Sequence, residues 1–446
     1  MVVAAPTEEA IAQWITSLER ENVKYVRFEL PDLHGVSRLK VVPLAKAAGY
    51  AKKGLNFYGG TLALDTASSV VGGSGYHEER KYRDHLLFPD LDSTNAVPWM
   101  DHTVKVICDA CWEIDDPLKG APRYVLKSLL DLAGQMGFEV MMGHEFEFYL
   151  LDAETRKPLF DGLHIFNHIR NQYVPEINQM LNYLQAAGID VITHNCEYAP
   201  SQFEINFGPG IGIRGADKAF TFKNAVKEIA HHLGYLASFM SKPFPGLAGC
   251  CCHFHISLWK HDGSNAFLDM SSPDGLSQTA KYFTQGILDH APAMMPLIGP
   301  TPNCYRRLKP HTFAPSNISW GIEDRTAMVR VKATKDDGTH LEMRAASGMS
   351  NPYLSAAATL AAGLLGLKEK RDLQPMSTGP SEEDASLAPF PKTLDAALVA
   401  LATDTKMQEM LGTEFCHLFS TVKAYELNRF HEHITDWEVS EYLEMY

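Results

Sequence analysis

The chain runs to 446 residues, carries a formal net charge of −14 at pH 7, and is 45% hydrophobic and 21% charged. That length buries a large core and fits two or three domains. The acidic balance speaks against nucleic acid or an anionic membrane surface as a main partner, and a nucleotide would need its own local cluster of arginines. The first residues carry no basic leader pattern, and Glu8 and Glu9 stand where a signal peptide would be apolar. The longest apolar run, 353–367, is too short to span a bilayer and includes Ser355 and Thr359, so a cytoplasmic protein is expected. Eight cysteines in a chain of this size make no disulfide framework. Cys108 and Cys111 form a lone C-x-x-C pair within a strand-like run, and Cys250-Cys251-Cys252 lacks zinc spacing and reads as buried strand filler.

In chain order, Thr7 caps a first helix with Ile11, Trp14, Ile15 and Leu18 on one face. A strand over 24–30 alternates Val26, Phe28 and Leu30 against Tyr25, Arg27 and Glu29. The turn Asp32-Leu33-His34-Gly35 leads to a second strand ending at Val42, then to a Gly-rich segment, 54–61, and the loop Gly72-Gly73-Ser74-Gly75. Strands at 86–88 and 104–112 complete a small β-rich domain, 1–119. From Pro122 the texture changes, and residues 120–446 read as a second domain. A helix over 124–136 feeds a strand from Phe138, a polar stretch rich in Asn and His covers 161–173, and helices alternate with strands up to Leu367. Residues 374–392, rich in Pro, Ser and acids, read as a surface excursion before a helical tail from Thr393. Gly208-Pro209-Gly210-Ile211-Gly212 looks like a nucleotide-loop fragment, but Pro209 and the lack of a βαβ context speak against it.

The chemistry concentrates in Gly143-His144-Glu145-Phe146-Glu147-Phe148-Tyr149. Strand alternation puts Glu145 and Glu147 on one face and Phe146 and Phe148 on the other. Burying two like charges unpaired is costly, so a cation belongs between them. Taken alone, the pair is equally well explained by a solvent-facing strand with two salt bridges. A second pair, Glu197 and Glu204, lies in the segment 194–207. Alternation puts His253, His255 and Ser257 on one strand face, and Glu342 and Arg344 share another. Each motif alone is more often a surface strand than a site. Four strands offering carboxylate or imidazole donors suit two divalent ions such as Mg²⁺ or Mn²⁺. Arg306, Arg307, Arg325, Arg330 and Arg344, each a salt-bridged surface arginine when taken alone, add guanidinium groups of the kind phosphoryl transfer uses.

These motifs run nearly end to end, from Asp32-Leu33-His34-Gly35 through Asn351-Pro352-Tyr353-Leu354 to Thr435-Asp436-Trp437-Glu438, and resemble the type I glutamine synthetases and their γ-glutamyl amide synthetase relatives. The resemblance implies an α+β fold with an N-terminal β-grasp domain and a C-terminal catalytic domain of antiparallel sheet and flanking helices. It implies a homo-oligomer of stacked rings, a dodecamer, with sites shared between neighbours. It implies Glu147, Glu197 and Glu204 at one metal, and Glu145, His253 and Glu342 at the other. Arg307 and Arg344 would hold the glutamate carboxylates, and Arg325 and Arg330 the phosphates, with Arg307, Arg325 and Arg330 in catalytic roles. Gly249, His255 and Ser257 match positions lining the glutamate and ATP sites. The implied reaction makes γ-glutamyl phosphate from glutamate and ATP, and an amine then displaces the phosphate.

Four departures carry information. Where the ammonium-using enzymes have an aspartate after the phenylalanine of the Gly-rich segment, Phe57 is followed by Tyr58. Where a glutamate closes the ammonium site, six residues after the substrate arginine, Phe313 stands. An asparagine expected five residues before His253 is Ala248, and the adenylylation segment of the regulated bacterial enzymes is absent. Two rings in place of two carboxylates favour an apolar alkyl or aromatic amine over ammonium or a polyamine. The expectation is an ATP-dependent γ-glutamyl amide ligase. Its rivals are a glutamine synthetase using Asp65 as a replacement acid, and a non-catalytic protein like lengsin, a lens relative that lacks the catalytic set. All six expected metal ligands are present, which argues against the last.

Overall fold

The computed structural model describes residues 5–162 and 165–446, so Leu163 and His164 of the polar stretch lie outside the described residues. The first helix, Glu8–Arg20, opens with the Thr7 hydroxyl accepting the Ala10 N–H at 3.2 Å and buries Ile11, Trp14 and Leu18. The first sheet runs in the order Ser37–Pro43, Tyr25–Pro31, Thr103–Glu113, His85–Pro89, Leu55–Phe57. Gly35, at φ +74°, makes the tight turn between the first two strands, where a side chain would be strained. Strand Tyr25–Pro31 then pairs in parallel with Thr103–Glu113.

One expectation resolves differently here. Arg27 and Glu29, the polar half of the 24–30 alternation, are as buried as Val26 and Phe28. Helix Ile213–His232 lies over that face, and its Glu228 takes the Arg27 guanidinium at 2.6 and 2.8 Å, while Lys105 holds Glu29 at 2.9 Å. A helix over Leu44–Lys53, which buries Ala47 and Ala51, escapes the sequence reading because alanine gives little periodic signal.

The second sheet has a main path of Trp320–Ile322, Val329–Lys332, His340–Met343, Cys252–Lys260, Phe138–Asp152, Gln202–Phe207 and Val191–Cys196. Every neighbouring pair on it is antiparallel except the first. The Gly210–Ile211 segment, the one resembling a nucleotide loop, forms a short strand on Met141 and Met142. Helices Pro122–Gln135 and Ile213–His232 cover the back of the sheet. Beneath them runs Pro352–Glu369, buried from Pro352 to Gly366, as its all-round apolar sequence dictates. Among the described residues, no helix is long and apolar enough to cross a membrane.

Helix Pro352–Glu369 meets Gln278–Ile298 along glycines. A Cβ on Gly286 would stand 2.2 Å from the Ala362 carbonyl oxygen, one on Gly366 2.1 Å from that of Tyr282, and one on Gly363 2.1 Å from the Phe283 ring. The segment 374–392 holds one 3₁₀ turn, Ser381–Glu383, before the tail helices Leu394–Thr403, Thr405–Leu411, Thr413–Glu432 and Asp436–Tyr442. Helix Thr413–Glu432 reaches back to the first sheet, where Tyr76 Oη donates to Glu414 at 2.6 Å and His34 Nε2 meets Glu426 at 2.6 Å. The whole is the α+β architecture expected.

Candidate active site

Strand register brings the predicted donors onto one sheet face. Glu145 stands opposite His253, Glu147 opposite Glu204, and Glu342 opposite both His255 and Arg330. Phe146, Phe148 and Phe254 point the other way and are fully buried. The polar face opens into a cavity of about 930 Å³. All six expected metal ligands line it, as do Gly249, His255, Ser257, Arg307, Arg325, Arg330, Arg344 and Phe313. Tyr58 does not. It is 36% exposed just past strand Leu55–Phe57 of the first sheet, with its hydroxyl 2.8 Å from His77 Nδ1.

Three groups of donors converge, each with its ligand atoms within 4.8 Å of one another: Glu147, Glu197 and Glu204; Glu145, Glu204 and His253; and Glu145, His255 and Glu342. His253 Nδ1 lies 3.4 Å from Glu145 Oε2 and 3.6 Å from Glu342 Oε1. The electrostatics divide the face in two. Burial, and then the charge of Glu147, push Glu197 up to about 7. Burial and the charges of Glu147, Glu145 and Glu197 push Glu204 up to about 9. On the other side, burial is outweighed by His253, Arg344, His255 and Arg330, which hold Glu342 at about 2. Glu145 also lies well below the usual carboxylate range, because its bonds to His253 and His255 overcome its burial.

Neutral amides hold the first group. Asn195 Nδ2 donates to Glu197 at 2.8 Å, Asn206 Nδ2 to Glu204 at 3.1 Å, and Gln202 Nε2 to Glu147 at 3.1 Å. Sequence reasoning missed these three. The signal for all three was available, since Asn195 lies two residues from Glu197, and Gln202 and Asn206 each lie two residues from Glu204, on one strand face. Three carboxylates, two of them with their proton affinity raised by burial and by their neighbours' charge, are steadied by neutral donors and form a hard-oxygen set that fits Mg²⁺ or Mn²⁺. The second group adds imidazole to carboxylate, which also fits a divalent ion.

The arginines occupy distinct stations. Arg307 is buried, with Nη2 donating to the carbonyls of Ala345 and Ala346 at 2.8 and 3.0 Å. Gly249 leaves room for it, since a Cβ there would stand 2.9 Å from Arg307 Cγ and 2.5 Å from the Ser241 carbonyl oxygen. Arg344 donates to Glu342 at 2.5 Å and to the Arg325 carbonyl at 3.1 Å. Arg330 bridges Glu342 at 3.0 Å and Glu323. Arg325 is exposed at the cavity wall, and Ser257 Oγ accepts from Trp259 Nε1 at 2.9 Å. Phe313, held at φ +58° and 72% exposed, faces Tyr198 with ring centroids 5.1 Å apart. Ala248 lines the same wall, and its carbonyl accepts from Tyr149 Oη at 2.6 Å. Asp65 is fully buried, accepts the N–H groups of Ala67 and Ser69 at 2.9 and 2.7 Å, and pairs with Arg429 away from the cavity. Cys251 lines the cavity, and burial and the charge of Glu147 push its thiol well up.

Known proteins resemble this chain over nearly its whole length. The family model for the glutamine synthetase catalytic domain matches residues 119–442. Glutamine synthetase of Methanocaldococcus jannaschii is 33% identical, covering 98% of either chain. That of Thermotoga maritima is 33% identical over 96% of this chain and 98% of its own. Among solved structures, GmaS in complex with ADP matches with a TM-score of 0.86 at 29% identity, covering 97% of this chain and 99% of that one. Ligand-free GmaS matches with a TM-score of 0.85 at 30% identity, covering 96% and 98%. A polar sheet face rich in carboxylates, a family model over most of the chain and full-length relatives lead to one conclusion: the chain belongs to the glutamine synthetase family of ligases.

Proposed function

We propose that this enzyme is an ATP-dependent γ-glutamyl amide ligase that joins the γ-carboxylate of glutamate to an apolar alkyl or aromatic amine. The observation that carries the choice of amine is the wall beside Arg307, where Phe313 and Tyr198 present ring faces and Ala248 presents a methyl group. Asp65, the acid an ammonium enzyme would need here, is buried against Arg429 and stands off the cavity. A hydrated ammonium ion gains nothing from such a wall, whereas an organic amine buries apolar area against it.

In this reading Glu147, Glu197 and Glu204 hold one divalent cation, and Glu145, His253 and Glu342 a second. Bound there, the cations would neutralise phosphate charge and polarise the transferring group. Arg325 and Arg330 steady the phosphates of ATP, a role supported by the likeness to GmaS, which was solved with ADP. Arg307 and Arg344 fix the glutamate carboxylates, and the buried backbone bonds of Arg307 keep its guanidinium from swinging away. His255 and Ser257 border the nucleotide end, and Gly249 the glutamate end. Tyr58 can serve the amine end only from a second copy, so the reading includes a homo-oligomer, with residues 1–119 completing a neighbour's site on 120–446.

The test measures phosphate release from ATP and glutamate with ammonium, isopropylamine, aniline or putrescine, reported as kcat/KM. Isopropylamine or aniline should rank first. If ammonium or putrescine ranked first, the aromatic-pocket reading would be wrong and the ligase assignment would stand.

A further inference from the structure

The loop that carries Phe313, residues 309–313, is exposed throughout and runs between buried Arg307 and buried Ala314. Within it His311 and Phe313 both adopt the left-handed region, at φ +59° and +58°, where a side chain is strained. Phe313 is too exposed for its own burial to hold that conformation, so other bonds must. Two sets are present. From the inside, Thr312 Oγ1 lies 3.0 and 2.6 Å from the carbonyl oxygens of Arg307 and Lys309. From the outside, the His311 N–H donates to Glu382 Oε2 at 2.8 Å, and Glu382 Oε1 stands 3.5 Å from His311 Nδ1. Glu382 comes from the segment 374–392, the surface excursion of the sequence, where it sits in the 3₁₀ turn Ser381–Glu383. That turn is fastened without the Glu382 carboxylate. Ser381 is buried, its hydroxyl donates to Asp324 at 2.6 Å, and its carbonyl accepts from Asn317 Nδ2 at 2.7 Å. The Ile318 N–H adds a bond to the Ala388 carbonyl at 2.8 Å. The Glu382 side chain is largely buried although His311 is exposed, so this acid is spent on the loop and not on water.

We propose that Glu382 is a positioning residue for the amine: by clasping the His311 N–H it holds the loop in its strained form and keeps Phe313 against Tyr198. The excursion is then the outer strut of the amine wall. The clasp acts on that wall alone, because Arg307 is fixed separately by the Ala345 and Ala346 carbonyls. The proposal rests on reading the Phe313 wall as the amine site, and it names the residue that sets the wall's shape from outside the cavity.

The experiment compares Glu382→Ala, Glu382→Gln, Phe313→Ala and the double variant Glu382→Ala/Phe313→Ala in two readouts. The first is steady-state kinetics with the better of isopropylamine and aniline. Glu382→Ala should raise KM for that amine by about fivefold, with kcat and the KM for glutamate and ATP near wild type. The double variant should be no worse than Phe313→Ala alone, because the clasp works only through that ring. Glu382→Gln should keep the wild-type KM, since its amide oxygen accepts the same N–H. The second readout is hydrogen exchange over residues 308–314, followed by mass spectrometry with no substrate present. Exchange should be faster in Glu382→Ala and like wild type in Glu382→Gln. Wild-type amine KM or wild-type exchange in Glu382→Ala would overturn the proposal. So would effects that multiply in the double variant, or an equal rise in KM for glutamate or ATP. If Glu382→Ala folds poorly, Glu382→Asp takes its place, because its shorter side chain draws back from His311. Exchange that depends on Glu382 alongside a preference for ammonium sinks only the substrate reading. A preference for the apolar amine alongside exchange indifferent to Glu382 sinks only this one.

Discussion

Two regions of the molecule bury carboxylates, and they treat them in opposite ways. Between the first sheet and helix Ile213–His232, the fully buried Arg123 reaches Asp90 at 2.6 Å, Asp109 at 2.6 Å and Asp217 at 2.8 and 2.9 Å, with Lys127 on Asp109 at 2.6 Å. Burial alone would raise Asp90, but the charges and bonds of Arg123 and Arg214 hold it at about 2. On the cavity face, Glu204 meets the same burial with three carboxylates for neighbours and is pushed up to about 9. Desolvation is common to both places, and the sign of the neighbours decides the outcome. A buried acid with its counter-charge built in holds the architecture together. One whose counter-charge is missing from the chain is waiting for a ligand.

The sharpest way to break that contrast is to exchange the two consequences. Glu147→Ala or Glu342→Ala should abolish turnover, a loss of several kcal/mol in transition-state stabilisation. Glu147→Ala should leave the thermal midpoint of the metal-free protein near that of wild type, whereas Glu342→Ala also strands the buried Arg330 and Arg344 and should lower it. Arg123→Ala should do the reverse to the fold and cost about 3–5 kcal/mol by urea denaturation, because it strands buried aspartates. Near-normal activity at millimolar Mg²⁺ in either glutamate variant would remove that residue from the metal set.

A pH series sharpens the contrast further. Glu197 and Glu204 have folded values raised above the unfolded value near 4.5, so the folded state binds more protons than the unfolded one between about pH 4.5 and 9. Metal-free protein should therefore lose stability as pH rises through that window, by on the order of a few kcal/mol, and saturating Mg²⁺ should flatten the loss. Asp90, with its value depressed, works the other way, and its contribution disappears only as pH falls toward about 2. Denaturation midpoints with and without Mg²⁺ between about pH 2 and 9 would show both signs, and a metal-free protein that gains stability between about pH 5 and 9 would contradict the first.

The smallest expected effect lies at the amine wall. Phe313→Glu combined with Tyr58→Asp should lower kcat/KM for isopropylamine by about tenfold, in keeping with the apolar area a half-open ring can bury, and raise it for ammonium. Unchanged selectivity would show that the rings do not choose the amine.

Strand period made most of the cavity face legible. Glu145, Glu147, His253 and His255 could be placed on one side because a strand alternates whatever surrounds it. What the sequence hid was set by partners distant in the chain. Arg27 and Glu29 look solvent-facing until Glu228 and Lys105, from other elements, close over them. His340 precedes Glu342 by two residues, the same interval that links Asn195 to Glu197, yet its contact with His255 emerges only once strand pairing sets the two side by side. Tyr58 could be singled out by its neighbours in sequence, but one folded chain leaves it outside the cavity.

The glycine seam between helices Gln278–Ile298 and Pro352–Glu369 bears on how an enzyme of this kind diversifies. Backbone set against backbone at Gly286 and Gly366 has no side chain to exchange, and a methyl group added at either would collide with a carbonyl oxygen. The helices that back the second sheet rest on this seam, so the spacing of its polar face tolerates little change from beneath. Phe313 and Ala248 lie on loops at the opposite, open side of that sheet. Substitutions on those loops can therefore reshape the cavity wall while the sheet beneath keeps its register.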